Sequence, residues 1–217
     1  MAFTFPLSTA DFWDRLPIDQ LIWDDPENVD TGMTGRGESI SAELAPQLWQ
    51  VSVTLGRCKP DEAAWIETML SVLRTPGRSF LAHDHRRPYP QLDPSGVMIR
   101  GASVTIASVP SRRELSLAGL PARYPLAVGD YLAFSYSGGR RALHRVVEPV
   151  AANNSGVTPV FEVSPMMAPG ATVGAAVALS RPACGFQIVK GSITPGPARS
   201  GWSEGTSFRI AQTTAVL

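Results

Sequence analysis

Residues 49–55 read "WQVSVTL", and residues 59–74 read "KPDEAAWIETMLSVLR". In the first stretch Trp49, Val51, Val53 and Leu55 alternate with Gln50, Ser52 and Thr54. A period of two puts the apolar set on one face of a strand, as a half-buried antiparallel sheet requires. In the second stretch the period becomes helical. Pro60 suits the first helical position, where its missing N–H costs nothing. Asp61 and Glu62 complement the positive end of the helix dipole, and Arg74 the negative end. Trp65, Ile66, Met69, Leu70, Val72 and Leu73 form a broad apolar stripe, and "TPGR" stops the helix. That stripe needs a sheet to cover it, so the two stretches together predict a β-sheet with one helix packed on it.

Working outward, glycine and proline number 19 each and punctuate the chain every few residues, the mark of short strands and turns. Shorter alternating runs follow the helix: "SVTIAS" (103–108), "ELSLAG" (114–119), "DYLAFSY" (130–136), "LHRVVEPV" (143–150), "PVFEVS" (159–164) and "AAVALS" (175–180). "SYSGGRRA" reads as a hairpin turn in which Gly138 and Gly139 take positive φ. "GFQIVKGSI" and "TSFRIAQTTAV" add two closing strands. The fold class is therefore mainly β. Residues 23–44, "WDDPENVDTGMTGRGESISAEL", are polar, glycine-rich and too long for an ordinary connection. We expect a functional arm or a hairpin extending from the body.

The bulk composition narrows the function classes. At 217 residues the chain fits one large or two small domains and buries roughly 70% of its unfolded surface when compact. Nineteen Lys and Arg balance nineteen Asp and Glu, so no bulk charge attracts nucleic acid or an anionic membrane. Near-zero net charge also weakens self-repulsion and favours association. The N-terminus shows no basic segment followed by an apolar one, and no apolar run approaches the ~20 residues of a membrane span. We expect neither an export signal nor a span. Cys58 and Cys184 are far apart and form no disulfide framework, so free thiols are expected.

Candidate chemistry is sparse. "LAHDHRRPYP" (81–90) gathers His83, Asp84, His85, Arg86 and Arg87 between a strand and two prolines. On a strand His83 and His85 point one way and Asp84 the other. A metal site there needs a third ligand, yet His144 is about sixty residues away and no carboxylate has a local signature. The stretch reads instead as a polar joint, with Pro88 and Pro90 ending the strand. No G-x-S-x-G elbow occurs. Cys58 precedes the helix, where a helix N-terminus can lower a thiol pKa, although a buried, inert cysteine is the commoner case. "TGMTGRGE" (31–38) lacks the lysine and hydroxyl residue of a phosphate loop and reads as a mobile or interface loop. Trp49 and Trp65 read as core. Trp23 and Trp202 read either as interface anchors or as side chains half-buried under loops. No catalytic, cofactor-binding or metal-ligating residue is assigned.

The order of features resembles a family. "FTFPLS", a glycine-rich arm, "LWQVSVTL", "KPDEAAWIETMLSVLRTPGRSFLAHD", a proline-bounded joint, a β-rich stretch containing "LAVGDYLAF", and "RPACGFQIVKGSI…FRIAQ" follow one another. This order is similar to that of the distal tail proteins of long-tailed bacteriophages and prophage-like particles. The resemblance covers most of the chain but rests on no single diagnostic residue. It implies a belt-like β-sandwich domain made of residues 1–93 and 184–217, carrying the helix and the protruding arm. It also implies an inserted small β-sandwich or barrel of residues 94–183. It further implies a cyclic, six-fold ring of copies at the tail tip of a virion, made in the host cytoplasm. The tail tube protein and a hub or baseplate protein would be neighbours, and a host-surface glycan a further partner. No nucleic acid and no membrane span are implied. Ring contacts are expected at Trp23, Met33, Arg36, Arg86, Arg87 and Trp202, and two linkers, 87–94 and 181–185, are expected side by side.

Two other classes stay open at this point. A carbohydrate-binding module would use Tyr124, Tyr131 or Tyr136 on the middle segment. A hydrolase would need His83, His85 or His144 within hydrogen-bond reach of a carboxylate or serine.

Overall fold

A computed structural model describes residues 3–43, 47–199 and 201–215. The chain is mainly β, 38% strand against 8% helical, so the sheets decide its architecture. A 3-10 turn, Trp13–Arg15, precedes β1 (Ile18–Asp24), β2 (Val29–Met33), β3 (Ser39–Glu43) and β4 (Gln50–Leu55). Helix α1 (Pro60–Leu73) and β5 (Phe80–Ala82) follow. The middle of the chain contributes β6 (Thr105–Ser111), β7 (Glu114–Ala118), β8 (Pro125–Leu126), β9 (Tyr131–Tyr136), β10 (Arg140–Val146), β11 (Val150–Ala151), β12 (Phe161–Ser164) and β13 (Val177–Ala178). Then come β14 (Cys184–Ile188), β15 (Ala198–Arg199), β16 (Trp202–Ser203) and β17 (Ser207–Gln212).

The first sheet has the order β1–β4–β17–β14–β5, all antiparallel. Its strands come from both ends of the chain. β4 shows the alternation expected of it: Trp49, Val51, Val53 and Leu55 are buried, while Gln50 and Ser52 are exposed. α1 covers this sheet. Lys59 N–H donates to the Glu62 carboxylate at 3.0 Å, which satisfies one of the free donors at the helix start. Ile66, Met69, Leu70 and Leu73 are buried, each contributing about 2 kcal/mol by leaving water. Trp65 and Val72 are only half-buried, so the stripe is narrower than the sequence suggests. Trp65 instead carries the Arg15 guanidinium over its ring at 3.9 Å.

The second sheet, β13–β9–β10–β12–β7–β6, comes wholly from the middle of the chain. Its two ends meet: Ile106 N–H donates to Ala175 at 3.0 Å, and Val177 N–H to Val104 at 2.8 Å. The sheet is thus a nearly closed barrel, which relieves both end strands of open edges. The β9–β10 turn places Ser137, Gly138 and Gly139 at positive φ, as the glycine pair predicts.

The two cores share a wall. On β9, Leu132, Phe134 and Tyr136 point into the barrel, whereas Tyr131 and Ala133 join the core of the first sheet. Leu143 of β10 does the same while Ala142 and Val146 point inward. This explains why "DYLAFSY" reads as nearly continuous apolar sequence: the strand is buried on both faces. At the wall Trp23, Trp49, Tyr131 and Phe186 form an aromatic cluster with centroids 5.5–6.2 Å apart.

Candidate functional site

The arm is a hairpin. β2 and β3 pair from Val29↔Glu43 to Met33↔Ser39, and the turn is closed by Thr34 N–H to Glu38 at 2.8 Å. Residues 44–46, at its return, lie outside the described residues, so part of the expected arm does too. From Asp30 to Ala42 every residue is exposed except Thr34, which is half-buried. Met33 is 80% exposed and Ile40 58%. Ile40 pairs with Gly32, so it shares that residue's face and Met33 takes the other. The hairpin offers an apolar side chain on each face and rests neither face on its own chain. Arg36 lies exposed in its turn.

β1 leads into this hairpin and ends the first sheet. Among the described residues no strand pairs with its outer edge, and Ile22 is 62% exposed on the sheet's outer face. The opposite edge differs: Leu7 lies beside β5, accepting from Leu81 N–H at 2.9 Å and donating to Ser79 at 3.0 Å. One edge is covered and the other is open.

The remaining expected contact residues are engaged within the chain. Trp23 faces inward with Val51, and its indole N–H is buried without a partner. Trp202 is half-buried between the guanidinium groups of Arg57, 4.2 Å away, and Arg199, 5.3 Å away. Arg86 grips the buried carboxylate of Asp84 with two hydrogen bonds, 3.0 and 2.8 Å, although more than half of its own side chain is exposed. Arg87 donates to the Gly129 carbonyl at 3.2 Å. A Cβ on Gly129 would stand 2.6 Å from that guanidinium, and φ is +85° there, so the backbone conformation favours glycine.

"LAHDHRRPYP" is indeed a joint between the sheets. Arg181 N–H donates to the Pro88 carbonyl at 2.6 Å, setting the outgoing and returning segments side by side. The buried Asp130 carboxylate accepts from Gln91 N–H at 2.9 Å and Ala127 N–H at 2.8 Å. The joint also holds a cluster that the sequence does not announce. The 3-10 turn brings Asp14 to His83 and His85, with Oδ1 at 3.8 Å from His83 Nδ1 and 3.7 Å from His85 Nε2. Trp13 locks this arrangement, its indole N–H donating to the His83 carbonyl at 2.8 Å. Burial, the largest cause, pulls the His83 pKa down to about 4, and it lowers His85 as well, against the pull of Asp14. Both imidazoles are neutral at pH 7.

The other chemistry weighed from the sequence is placed as follows. His144 is fully buried, and its Nδ1 lies 2.7 Å from the Pro165 carbonyl. The nearest histidine–carboxylate distances, 3.7 and 3.8 Å, exceed hydrogen-bond reach. Tyr124, Tyr131 and Tyr136 are at most 7% exposed, since their rings fill the two cores, and so present no face to a sugar. Both cysteines are free and buried. Cys58 does not gain the low pKa of a helix-start thiol: burial raises it, and Glu62 and Glu67 raise it further.

No protein-family model matches the chain, and no curated protein matches it. What the fold and surface define is a class: an antiparallel β protein with one packed helix, a barrel-like middle and a hairpin projecting from an open sheet edge. Among the described residues no helix is long and apolar enough to cross a membrane.

Proposed function

We propose that this chain is a structural subunit that works by assembly with copies of itself, of the kind that forms a ring at the distal end of a phage tail. The observation that carries the reading is the projecting β2–β3 hairpin, with one exposed apolar side chain on each face, Met33 and Ile40, and continuous with the open β1 edge. Open edges and exposed apolar side chains are liabilities in a monomer and become contacts in an oligomer. A hairpin that reaches outward while an edge lies open elsewhere suits head-to-tail contacts, which close into a ring when the rotation per subunit allows. The order of elements resembling the distal tail proteins supports the same reading, with a six-fold ring, a tube neighbour and a hub neighbour as its content. Residues 1–93 with 184–217 would form the ring-building part, and 94–183 the part facing outward.

Light scattering coupled to size exclusion, followed by negative-stain imaging, tests the proposal. A ring-sized particle of uniform copy number is expected. A chain that stays monomeric from micromolar to millimolar concentration would sink it.

A further inference from the structure

Asp14, His83 and His85 bring their ligand-capable atoms within 4.8 Å of one another. His83 Nδ1 and His85 Nε2 both face Asp14 Oδ1, both are buried, and neither has a hydrogen-bond partner. His83 is only 4% exposed, so bulk solvent does not reach its nitrogen.

Direct pairing does not explain this geometry. Separations of 3.7 and 3.8 Å are too long for N–H···O hydrogen bonds. Two imidazolium ions do not explain it either, because the rings stand 4.9 Å apart and like charges would face each other with little water between them. A single cation between the three groups satisfies all of them. Two imidazole nitrogens and one carboxylate oxygen are the three donors it would meet. Ligand atoms around a tetrahedral zinc ion stand ~3.4 Å apart; the two oxygen–nitrogen separations, 3.7 and 3.8 Å, lie a few tenths of an ångström above that, and all three atoms fall within 4.8 Å of one another.

We propose that Asp14 Oδ1, His83 Nδ1 and His85 Nε2 bind a divalent transition-metal ion of the zinc class. Two nitrogen ligands select such an ion over calcium or magnesium, which favour all-oxygen shells. The side chains of Asp14 and His85 are 25% and 30% exposed, which gives the ion an entrance and leaves a position for water. Arg181 reaches only the other carboxylate oxygen, Oδ2, at 3.6 Å, and its side chain is 57% exposed, so it turns aside into solvent when the ion binds. The Trp13–His83 hydrogen bond fixes the backbone of one ligand beside the other two. The ion clips the N-terminal 3-10 turn to the end of β5, where the chain leaves for the barrel.

The test uses the full chain without a polyhistidine tag, stripped with chelator and titrated with zinc chloride by calorimetry and elemental analysis. One zinc per chain is expected. Asp14→Asn and His85→Gln, both at partly exposed positions, should each weaken binding tenfold or more while circular dichroism stays that of the parent. Cobalt(II) should give a visible d–d band in the parent that both variants lose. The proposal is overturned if the parent takes up no stoichiometric zinc. It is equally overturned if the folded Asp14→Asn chain binds zinc and cobalt as the parent does.

Discussion

The indole N–H of Trp49 donates to the backbone carbonyl of Leu143 at 2.7 Å, joining β4 of the first sheet to β10 of the barrel. Both residues are buried, at 0% and 1% exposure, so no water replaces the bond if it is lost. Trp49→Phe keeps a large ring in the aromatic cluster but orphans that carbonyl. We expect a loss of about 1–3 kcal/mol, the cost of an unsatisfied buried acceptor, together with some lost packing. Urea unfolding checks it: the midpoint should fall while the slope holds.

Asp130, buried at the end of a turn, should matter to stability. Its carboxylate accepts two backbone N–H groups, one of them from Gln91 in the outgoing segment. Asp130→Ala strands both donors, at a cost of about 2–4 kcal/mol in total. Limited proteolysis gives a local readout. Cleavage between residues 86 and 95 should speed up in the variant before the rest of the chain is cut.

Acid should weaken the fold through His144. Unfolded, this group titrates near 6.5, and burial holds it at about 4 in the folded chain despite the Pro165 carbonyl. Above pH 6.5 both states are neutral and stability is full. As pH falls toward 4 the unfolded chain takes up a proton that the folded chain refuses, so stability drops, by up to about 3 kcal/mol. His83, also lowered to about 4, adds to the decline in the same sense. Denaturant melts at pH 7.5 and 5.0 in chelator-containing buffer should show the drop. His144→Asn, which keeps an N–H donor but does not titrate, should remove its share of the drop and leave that of His83.

The hairpin should separate assembly from stability. Met33→Lys with Ile40→Lys changes two exposed side chains that support nothing in their own chain. The melting temperature should stay near that of the parent, with a stability change within about 0.5 kcal/mol. Association measured by light scattering should be lost. Unchanged association would place the contact surface elsewhere on the chain.

What could be read from sequence follows period and distance. β4 and α1 were legible because each has one buried face, and a single face gives a clean repeat. β1 was not: its register shifts between Ile18 and Gln20, and it carries exposed Ile22 beside core-facing Trp23, so its alternation is blurred. Trp23 was legible either as an interface anchor or as a half-buried side chain, but its place on β1 beside Trp49 and Phe186 was not. Asp14 was invisible as a partner of His83 and His85 because about seventy residues separate them and a 3-10 turn carries no ligand spacing. The one available signal was Trp13 beside an aspartate in an apolar N-terminal stretch, which implies a docked segment but not its destination. Arg87 was expected at a subunit contact, and the fold adds a hydrogen bond to the Gly129 carbonyl, 42 residues away in sequence, while leaving the residue exposed.

In the first sheet β17 lies between β4 and β14, yet every other strand precedes it in the chain. During synthesis on the ribosome, β4 therefore emerges with one flank vacant and keeps it so while some 150 further residues are made. The barrel, whose last strand ends at Ala178, is complete in sequence before β17 begins at Ser207. Chains cut short between Ala178 and Ser207 should accordingly hold every barrel strand and an unfinished sheet. They would be prey for chaperones and proteases, and that screens out incomplete copies.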